Sequence, residues 1–169
     1  PFHTWAPDVY DGAPTATVAF MAVGTKAGAF AALMLVFLMG LTPIWNQTLS
    51  FIAYPTLIYA NYVAMKQTQL RRFFAYSGIS HAGFLLIPLA AATPESIPAI
   101  LFYLVIYAIA TLGSFVILGL LDNKQEGVLL NDLKGLFTRS PFLATLFTLC
   151  LLTLAGIPPT AGFFAKFFI

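Results

Sequence analysis

Long apolar stretches separated by short polar connections dominate the pattern of hydrophobic and polar positions along this chain. A helix of about 20 residues, rising roughly 1.5 Å per residue, crosses the ~30 Å hydrocarbon core of a bilayer. Four stretches have this length, and a fifth begins near Phe142. The four run from about Thr15 to Met39, from Trp45 to Ala64 with a possible kink at Pro55, from Phe73 to Ala92 and from Ile97 to Leu121. The pattern therefore predicts an all-α, multi-pass transmembrane bundle.

Three polar connections flank these spans. The opening stretch from Pro1 to Pro14 is rich in Pro, Gly and Asp, which predicts a structured turn at a membrane boundary. The connection from Lys66 to Arg72 is cationic, so the positive-inside rule places it on the cytoplasmic or matrix side. The alternation of apolar and polar positions from Val128 to Phe137 predicts a short amphipathic helix on the membrane surface.

The fifth apolar stretch contains a predicted helix break at Gly156-Ile157-Pro158-Pro159, where adjacent prolines lack amide donors. In an unbroken helix Lys166 would lie about 37 Å from Pro141, beyond the hydrocarbon core. A break returns this lysine to the interior, as in the discontinuous helices of transporters. The alternative is a proline-kinked helix whose lysine marks the membrane interface.

Composition supports a membrane protein and argues against several other classes. The chain is 60% hydrophobic and only 8% charged, whereas soluble domains carry about 25% charged residues. A net charge of +2 does not suggest a nucleic-acid partner. The single cysteine excludes a disulfide framework and a multi-cysteine metal or iron–sulfur site within this chain. Patterns for a serine nucleophile, a phosphate loop or a dinucleotide site are missing, so we expect no cofactor bound by this chain.

Lys26 is the only charged residue between Asp11 and Lys66. It lies about 18 Å along a helix that begins near Pro14, close to the bilayer centre. A charged lysine there costs roughly 3 kcal/mol or more and should face the bundle interior or a hydrated cavity. Because burial disfavours the charged form, such a lysine can exchange protons near neutral pH. The alternative is an ion pair that only locks helices together.

His81 also lies at mid-depth of its predicted helix. An isolated histidine is often satisfied by a nearby carbonyl or hydroxyl, but its titration range also suits a relay beside Lys26. Ser77, Ser80 and Tyr76 are available to hold water there. No second histidine, cysteine or carboxylate lies at a helical spacing, so we expect no metal site.

The opening turn adds His3, Asp8 and Asp11. Asp11 is typical of a surface or helix-capping carboxylate, whereas His3 and Asp8 remain candidates for either a structural or a functional role. The chain does not begin with methionine and ends after Lys166 without a polar tail or cap, so we expect a segment of a longer protein.

Three long motifs resemble the antiporter-like membrane subunits of respiratory complex I (NADH:quinone oxidoreductase), in particular the N-type chain, the equivalent of mitochondrial chain 2. They are PFHTWAPDVYDGAPT at 1–15, RRFFAYSGISH at 71–81 and LAGIPPTAGFFAKF at 154–167. The sequence PDVYDGAPT and a lysine, not a glutamate, at position 166 favour the N type. The resemblance implies that residues 1–169 are about five transmembrane helices from the central and C-terminal part of a longer proton-conducting domain.

The resemblance also implies roles for four residues. Lys26 matches the family's central membrane lysine, Lys166 the lysine of its broken helix, and His3 and His81 its histidines. A further lysine–glutamate pair of the family falls outside this chain. The connection within Leu35 to Thr42 is shorter than the family's usual one.

The implied function is proton translocation in NADH:quinone oxidoreductase, driven by redox chemistry elsewhere in the complex. A proton would pass from Lys26, with His81 and bound water, to Lys166. NADH and quinone would be used by the whole complex, and the partners would be its other membrane subunits and the lipid bilayer, in a bacterial inner membrane or an organellar inner membrane. One alternative is a subunit of a multi-subunit Na⁺/H⁺ antiporter or membrane-bound hydrogenase. Another is a scaffold whose buried charges serve only assembly.

Overall fold

The computed structural model describes residues 3–38, 43–122 and 127–169, and four long helices dominate it. They are α2 (Thr15–Leu38), α3 (Pro43–Ala64), α4 (Leu70–Ala91) and α5 (Ser96–Leu121). α2, α4 and α5 contain segments that are long and apolar enough to cross a membrane. α3 has 22 residues, with Pro55 inside it, but its asparagines, glutamine and tyrosines make it less apolar. The prediction of an all-α, multi-pass bundle is confirmed.

α5 is the central helix of the bundle, since it packs against α2, α4, α7 (Pro141–Ala155) and α8 (Ala161–Phe167). Its side chains Ile100, Phe115 and Leu118 are fully buried, as are Leu85 and Leu89 of α4. α3 packs on the other side of α4. In a bilayer, close van der Waals packing of these side chains holds the helices together, because apolar surface gains little when it moves from lipid to protein. The arrangement brings the middle of α2 and the middle of α4 to the same region of α5.

The opening turn forms a short helix, α1 (Ala6–Gly12), which packs against the start of α4. Arg72 forms ion pairs with both acidic residues of α1, at 2.9 Å to Asp8 and 3.1 Å to Asp11. Asp11, predicted to be a surface or helix-capping carboxylate, is partly exposed and binds an arginine of another helix.

Arg71, in contrast to Arg72, is buried. Its guanidinium forms an ion pair with Asp122, at the end of α5. It also donates to the carbonyl oxygens of Asp11 (3.1 Å) and Ala13 (3.3 Å) and to the hydroxyl of Thr15 (2.7 Å). This group, here called the Arg71 cluster, joins the start of α2, the start of α4 and the end of α5.

The prediction of a short amphipathic helix within Val128 to Phe137 is wrong. The segment forms a 3₁₀ turn (Leu130–Leu133) and a single helical turn, α6 (Leu136–Arg139). Gly135, with φ of +73°, separates them, and this left-handed conformation ends a helix. The backbone before the turn pairs instead with the residues before α4, through Leu70 N–H to Val128 O (3.0 Å) and Leu130 N–H to Thr68 O (2.9 Å). The end of the first span at Met39 lies outside the described residues, as do residues 39–42 of the connection predicted to be short.

The predicted helix break is confirmed. α7 (Pro141–Ala155) ends at Gly156, whose φ is +77°, and α8 (Ala161–Phe167) starts after the two prolines. The Gly156 N–H donates to the carbonyls of Leu152 (2.9 Å) and Thr153 (3.1 Å), which closes the end of α7. The alternative of a merely kinked helix is wrong, since the helical hydrogen bonding stops for several residues.

Candidate functional site

Lys26, His81 and Tyr107 each lie near the midpoint of their helices, α2, α4 and α5 respectively, and their side chains meet. The Nζ atom of Lys26 donates a hydrogen bond to the Tyr107 hydroxyl and lies 4.4 Å from the centroid of its ring. An ammonium group in this position gains from the negative face of the ring. Within residues 3–38, 43–122 and 127–169, no carboxylate lies within ion-pair distance of Lys26. The ion-pair alternative for Lys26 therefore finds no support in the described part of the chain.

The close meeting of α2, α4 and α5 depends on Gly78 in α4. A Cβ atom at this position would lie 2.5 Å from Nζ of Lys26 and 3.3 Å from the hydroxyl oxygen of Tyr107. A separation of 2.5 Å is well inside van der Waals contact. Because glycine has no Cβ atom, position 78 leaves free the space that the lysine amine occupies.

His81 is buried and contacts two tyrosines of α5. Its Nδ1 atom lies 2.6 Å from the hydroxyl oxygen of Tyr103 and shares a hydrogen bond with it. Its ring centroid lies 5.0 Å from that of Tyr107. Because Nδ1 is engaged by Tyr103, the Nε2 atom is the ring nitrogen left for water or another proton carrier.

The predicted water-holding residues around His81 are arranged differently from the expectation. The Ser80 hydroxyl donates to Asn61 Oδ1 at 3.2 Å. Tyr76 packs in a small separate cluster with Ala6, Ala60 and Ile79. Ser77 and Ser80 do line a cavity of about 540 Å³, which His81 also lines. The serines therefore border space for water, whereas the hydroxyl that contacts His81 comes from Tyr103.

Lys166, in α8, reaches back across the break to the end of α7. Its Nζ atom donates to the carbonyl oxygen of Ala155 at 2.9 Å and lies 4.9 Å from the centroid of the Phe84 ring. The carbonyl end of a helix carries partial negative charge, so a cation there is favourable. Lys166 thus caps α7 from the helix that follows it.

Two cavities connect Lys166 to His81. Both residues line the cavity of about 540 Å³. They also line, with Tyr103 and Tyr107, an inner cavity of about 10 Å³. The inner cavity is close to the smallest volume that holds one water molecule. His81, Tyr107 and Lys166 therefore border one space on the scale of a single water molecule.

His3 lies on the other side of Lys26. Its ring centroid is 5.9 Å from that of Tyr59 in α3, and with Lys26 it lines a mainly apolar cavity of about 400 Å³. The structure does not bring His3 to His81 or Lys166. Lys26 and Tyr107 consequently stand between the cavity at His3 and the cavities at Lys166.

Sequence reasoning missed Tyr103 and Tyr107, although a signal for them exists. They lie four residues apart, and Thr111 follows after four more, so three hydroxyl groups share one face of an otherwise apolar helix. Tyr103, Tyr107 and Thr111 are all buried.

In the described residues, no group of three or more His, Cys, Asp or Glu side chains is placed to hold a metal ion.

Comparison with known proteins finds that the chain is similar to parts of subunits of respiratory complexes. The chain is 62% identical to NADH-quinone oxidoreductase subunit N of Protochlamydia amoebophila, in an alignment that covers 100% of this chain and 36% of the relative. Its structure superimposes on a chain of respiratory complex I from Thermus thermophilus with bound aureothin at a TM-score of 0.86, with 38% identity over 99% of this chain and 36% of that chain. The name of the bacterial relative agrees with the predicted resemblance to the N type.

The same fold occurs in a chain of a different membrane complex. The structure matches a chain of the membrane-bound sulfane sulfur reductase, an archaeal respiratory membrane complex, at a TM-score of 0.89, with 26% identity over 99% of this chain and 35% of that chain. The chain spans about a third of the length of the curated relative and of both solved chains. All of residues 1–169 match the family model described as NADH:quinone oxidoreductase/Mrp antiporter, TM. The chain therefore belongs to the NADH:quinone oxidoreductase/Mrp antiporter transmembrane family.

Proposed function

We propose that this chain is part of a proton-translocating membrane subunit of NADH:quinone oxidoreductase, and that Lys26, His81 and Lys166 carry the proton. One observation supports this most strongly: the amine of Lys26 lies at mid-helix, bound to a hydroxyl and an aromatic face. A permanent structural charge at this depth would need a carboxylate partner, because desolvation of an ammonium group is costly. A hydroxyl partner suits both the charged and the neutral amine.

The proton path runs from Lys26 through the region of His81 to Lys166. His81 can accept a proton at Nε2 while Tyr103 holds Nδ1, and a water molecule in the inner cavity can deliver it. Positive charges a few ångströms apart repel each other strongly where water is scarce. Arrival of a proton at one site therefore favours its departure from the next. His3, which shares a cavity with Lys26, is the candidate on the entry side.

The remaining parts of the proposal concern the whole complex. The redox reaction of NADH with quinone takes place in other subunits, and this chain binds no cofactor of its own. Its partners are other membrane subunits and the surrounding lipid, in a bacterial inner membrane. This placement is supported by the apolar helices and by the bacterial relative.

The test uses the complete complex with the full-length subunit, purified and reconstituted into lipid vesicles. Proton uptake is followed with a pH-sensitive dye, and NADH oxidation is measured in the same sample. We expect Lys26→Ala to lower the ratio of protons moved to NADH oxidised, because removal of a positioned proton donor typically costs about 10²-fold or more in that step. Lys134→Ala is the matched control, since this lysine is exposed in the polar connection. A normal ratio in Lys26→Ala would contradict the proposal.

A second candidate is a subunit of a related ion-translocating complex that does not use NADH. It is favoured by the match to the archaeal sulfane sulfur reductase complex. The subunits that copurify with the full-length protein decide between the two, since only one complex would contain NADH-oxidising subunits. The scaffold alternative predicts instead that Lys26→Ala or Lys166→Ala disrupts assembly before it affects the proton ratio.

A further inference from the structure

We infer that Tyr107 is a further proton-carrying residue. It takes the proton from Lys26 and passes it into the inner cavity shared with His81 and Lys166. Gly78 positions the lysine for this transfer. The inference rests on the proposed function and adds a specific hydroxyl group to its path.

The donor and acceptor roles around Tyr107 support the transfer. A charged lysine amine has only donors to offer, so the oxygen of Tyr107 accepts the hydrogen bond from Nζ of Lys26. The hydroxyl hydrogen of Tyr107 needs an acceptor, because the side chain is buried, and the Thr111 hydroxyl on the same helix is one acceptor besides the inner cavity. The inner cavity of about 10 Å³ lies beside the Tyr107 ring and reaches His81 and Lys166. A single water molecule there accepts the hydrogen.

The proton moves in one balanced step. An N–H bond of the Lys26 ammonium breaks as a new O–H bond forms at Tyr107, and the original O–H bond of Tyr107 breaks as its proton passes to the water molecule. Lys26 becomes neutral and the positive charge appears in the inner cavity. Tyr107 is a neutral phenol before and after the step, so neither a phenolate nor a protonated phenol accumulates.

The placement of Tyr107 between the cavities gives the hydroxyl its importance. Lys26 lines the cavity that contains His3 but neither the inner cavity nor the one lined by the serines. Tyr107 lines the inner cavity and holds the hydrogen bond to Lys26. A proton from Lys26 therefore reaches His81 or Lys166 by way of this hydroxyl.

Gly78 is a positioning residue, because it sets where the lysine amine can lie. A methyl group at this position would lie 2.5 Å from Nζ of Lys26, and the flexible lysine side chain would have to move away from Tyr107. Gly28, on the same helix as Lys26, offers a matched control, since a Cβ atom there meets nothing within 4 Å. Neither Gly78 nor Gly28 has a positive φ, so alanine is compatible with the backbone at both positions.

The test uses the reconstituted full complex and compares Tyr107→Phe with Lys26→Ala. We expect Tyr107→Phe to lower the ratio of protons to NADH to the same value as Lys26→Ala, while the complex keeps its size and its NADH oxidation. Tyr54→Phe, which removes an exposed hydroxyl, should leave the ratio unchanged. Gly78→Ala should lower the ratio and Gly28→Ala should not. A normal ratio in Tyr107→Phe overturns the inference, and a normal ratio in Gly78→Ala overturns the role of Gly78.

Lys26→Ala separates this inference from the proposed function. If it lowers the ratio and Tyr107→Phe does not, only the inference fails. If both variants pump normally, the proposed function fails with it.

A further variant distinguishes proton transfer from a structural hydrogen bond and serves if Tyr107→Phe does not assemble. Incorporation of 3,5-difluorotyrosine at position 107 preserves the ring and hydroxyl but makes the phenol more acidic. Lys26 on α2, His81 on α4, Lys166 on α8, Tyr103 on α5 and Tyr10 on α1 are the titratable groups around it, and all stay unchanged. Because Tyr107 relays the proton as a neutral phenol, a transfer role predicts that the changed acidity alters the ratio of protons to NADH while the complex stays assembled. An unchanged ratio overturns the inference.

Discussion

Arg71 and Arg72 are neighbours in sequence, but we expect very different effects when each is replaced by alanine. The side chains of Arg71 and Asp122 are 7% and 5% exposed, whereas those of Arg72 and Asp8 are 39% and 74% exposed. Loss of one partner of a buried ion pair costs about 3–5 kcal/mol, because the remaining charge stays buried without compensation. Exposed pairs contribute about 0–1 kcal/mol.

The structure allows the cost of Arg71→Ala to be placed near the upper end of that range. Besides the Asp122 carboxylate, the variant leaves the carbonyls of Asp11 and Ala13 and the hydroxyl of Thr15 without their donor. At about 1.4 kcal/mol per factor of ten, 3–5 kcal/mol lowers the ratio of correctly packed to disrupted protein by roughly two to three and a half orders of magnitude. Arg72→Ala should lower it by less than about tenfold.

The assay follows the full-length subunit in detergent-solubilised complex during heating, by the temperature at which the complex loses its native size on gel filtration. We expect a large decrease for Arg71→Ala and a small one for Arg72→Ala. The double variant Arg71→Met with Asp122→Leu should recover much of the loss, since apolar replacement of a buried pair is often neutral. Equal decreases in the two single variants would refute the reasoning, because they would mean that burial does not set the cost.

Two further predictions concern packing at the site. A Cβ atom at Gly162 would overlap the backbone carbonyl of Thr153. Gly162→Ala should therefore push α8 away from α7 and lower the stability of the protein by about 1–3 kcal/mol. It should also reduce the ratio of protons moved to NADH oxidised. Gly12→Ala, where a Cβ atom meets nothing within 4 Å, is the control, and equal melting temperatures for both variants would contradict this prediction. Tyr103→Phe removes the hydroxyl 2.6 Å from Nδ1 of His81 and leaves a buried nitrogen unpaired, which should cost about 1–3 kcal/mol in thermal stability. An unchanged melting temperature would show that this hydrogen bond contributes little.

The spans were largely predictable from sequence because their apolar runs are long and end at polar residues. α5 begins at Ser96, next to the predicted start of its span near Ile97. The apolar span predicted from Phe73 lies within α4, whose first turn also contains Arg71 and Arg72. Tertiary ion pairs accommodate both arginines in that turn.

The candidate site was only partly predictable. The mid-helix position of Lys26 follows from counting residues along an apolar helix, and the break before Lys166 follows from the glycine and adjacent prolines. Both agree with the structure. The role of Tyr107 depends on which face of α5 meets α2, and that is decided by packing among several nearly uniform apolar helices. Tyrosines are also usual packing residues in such helices, so their presence alone does not predict a functional hydroxyl group.

The Arg71 cluster has a consequence for the distant Lys26. It fixes the first residue of α2 to the first turn of α4 and to the end of α5. A helix is nearly incompressible, so pinning one end determines how deep each later residue lies, and also its direction around the axis. One residue inserted between Thr15 and Lys26 would turn the lysine by about 100° and shift it by about 1.5 Å, which is enough to separate it from Tyr107. The cluster thus fixes the helix ends from which the depths of Lys26 on α2 and His81 on α4 are set.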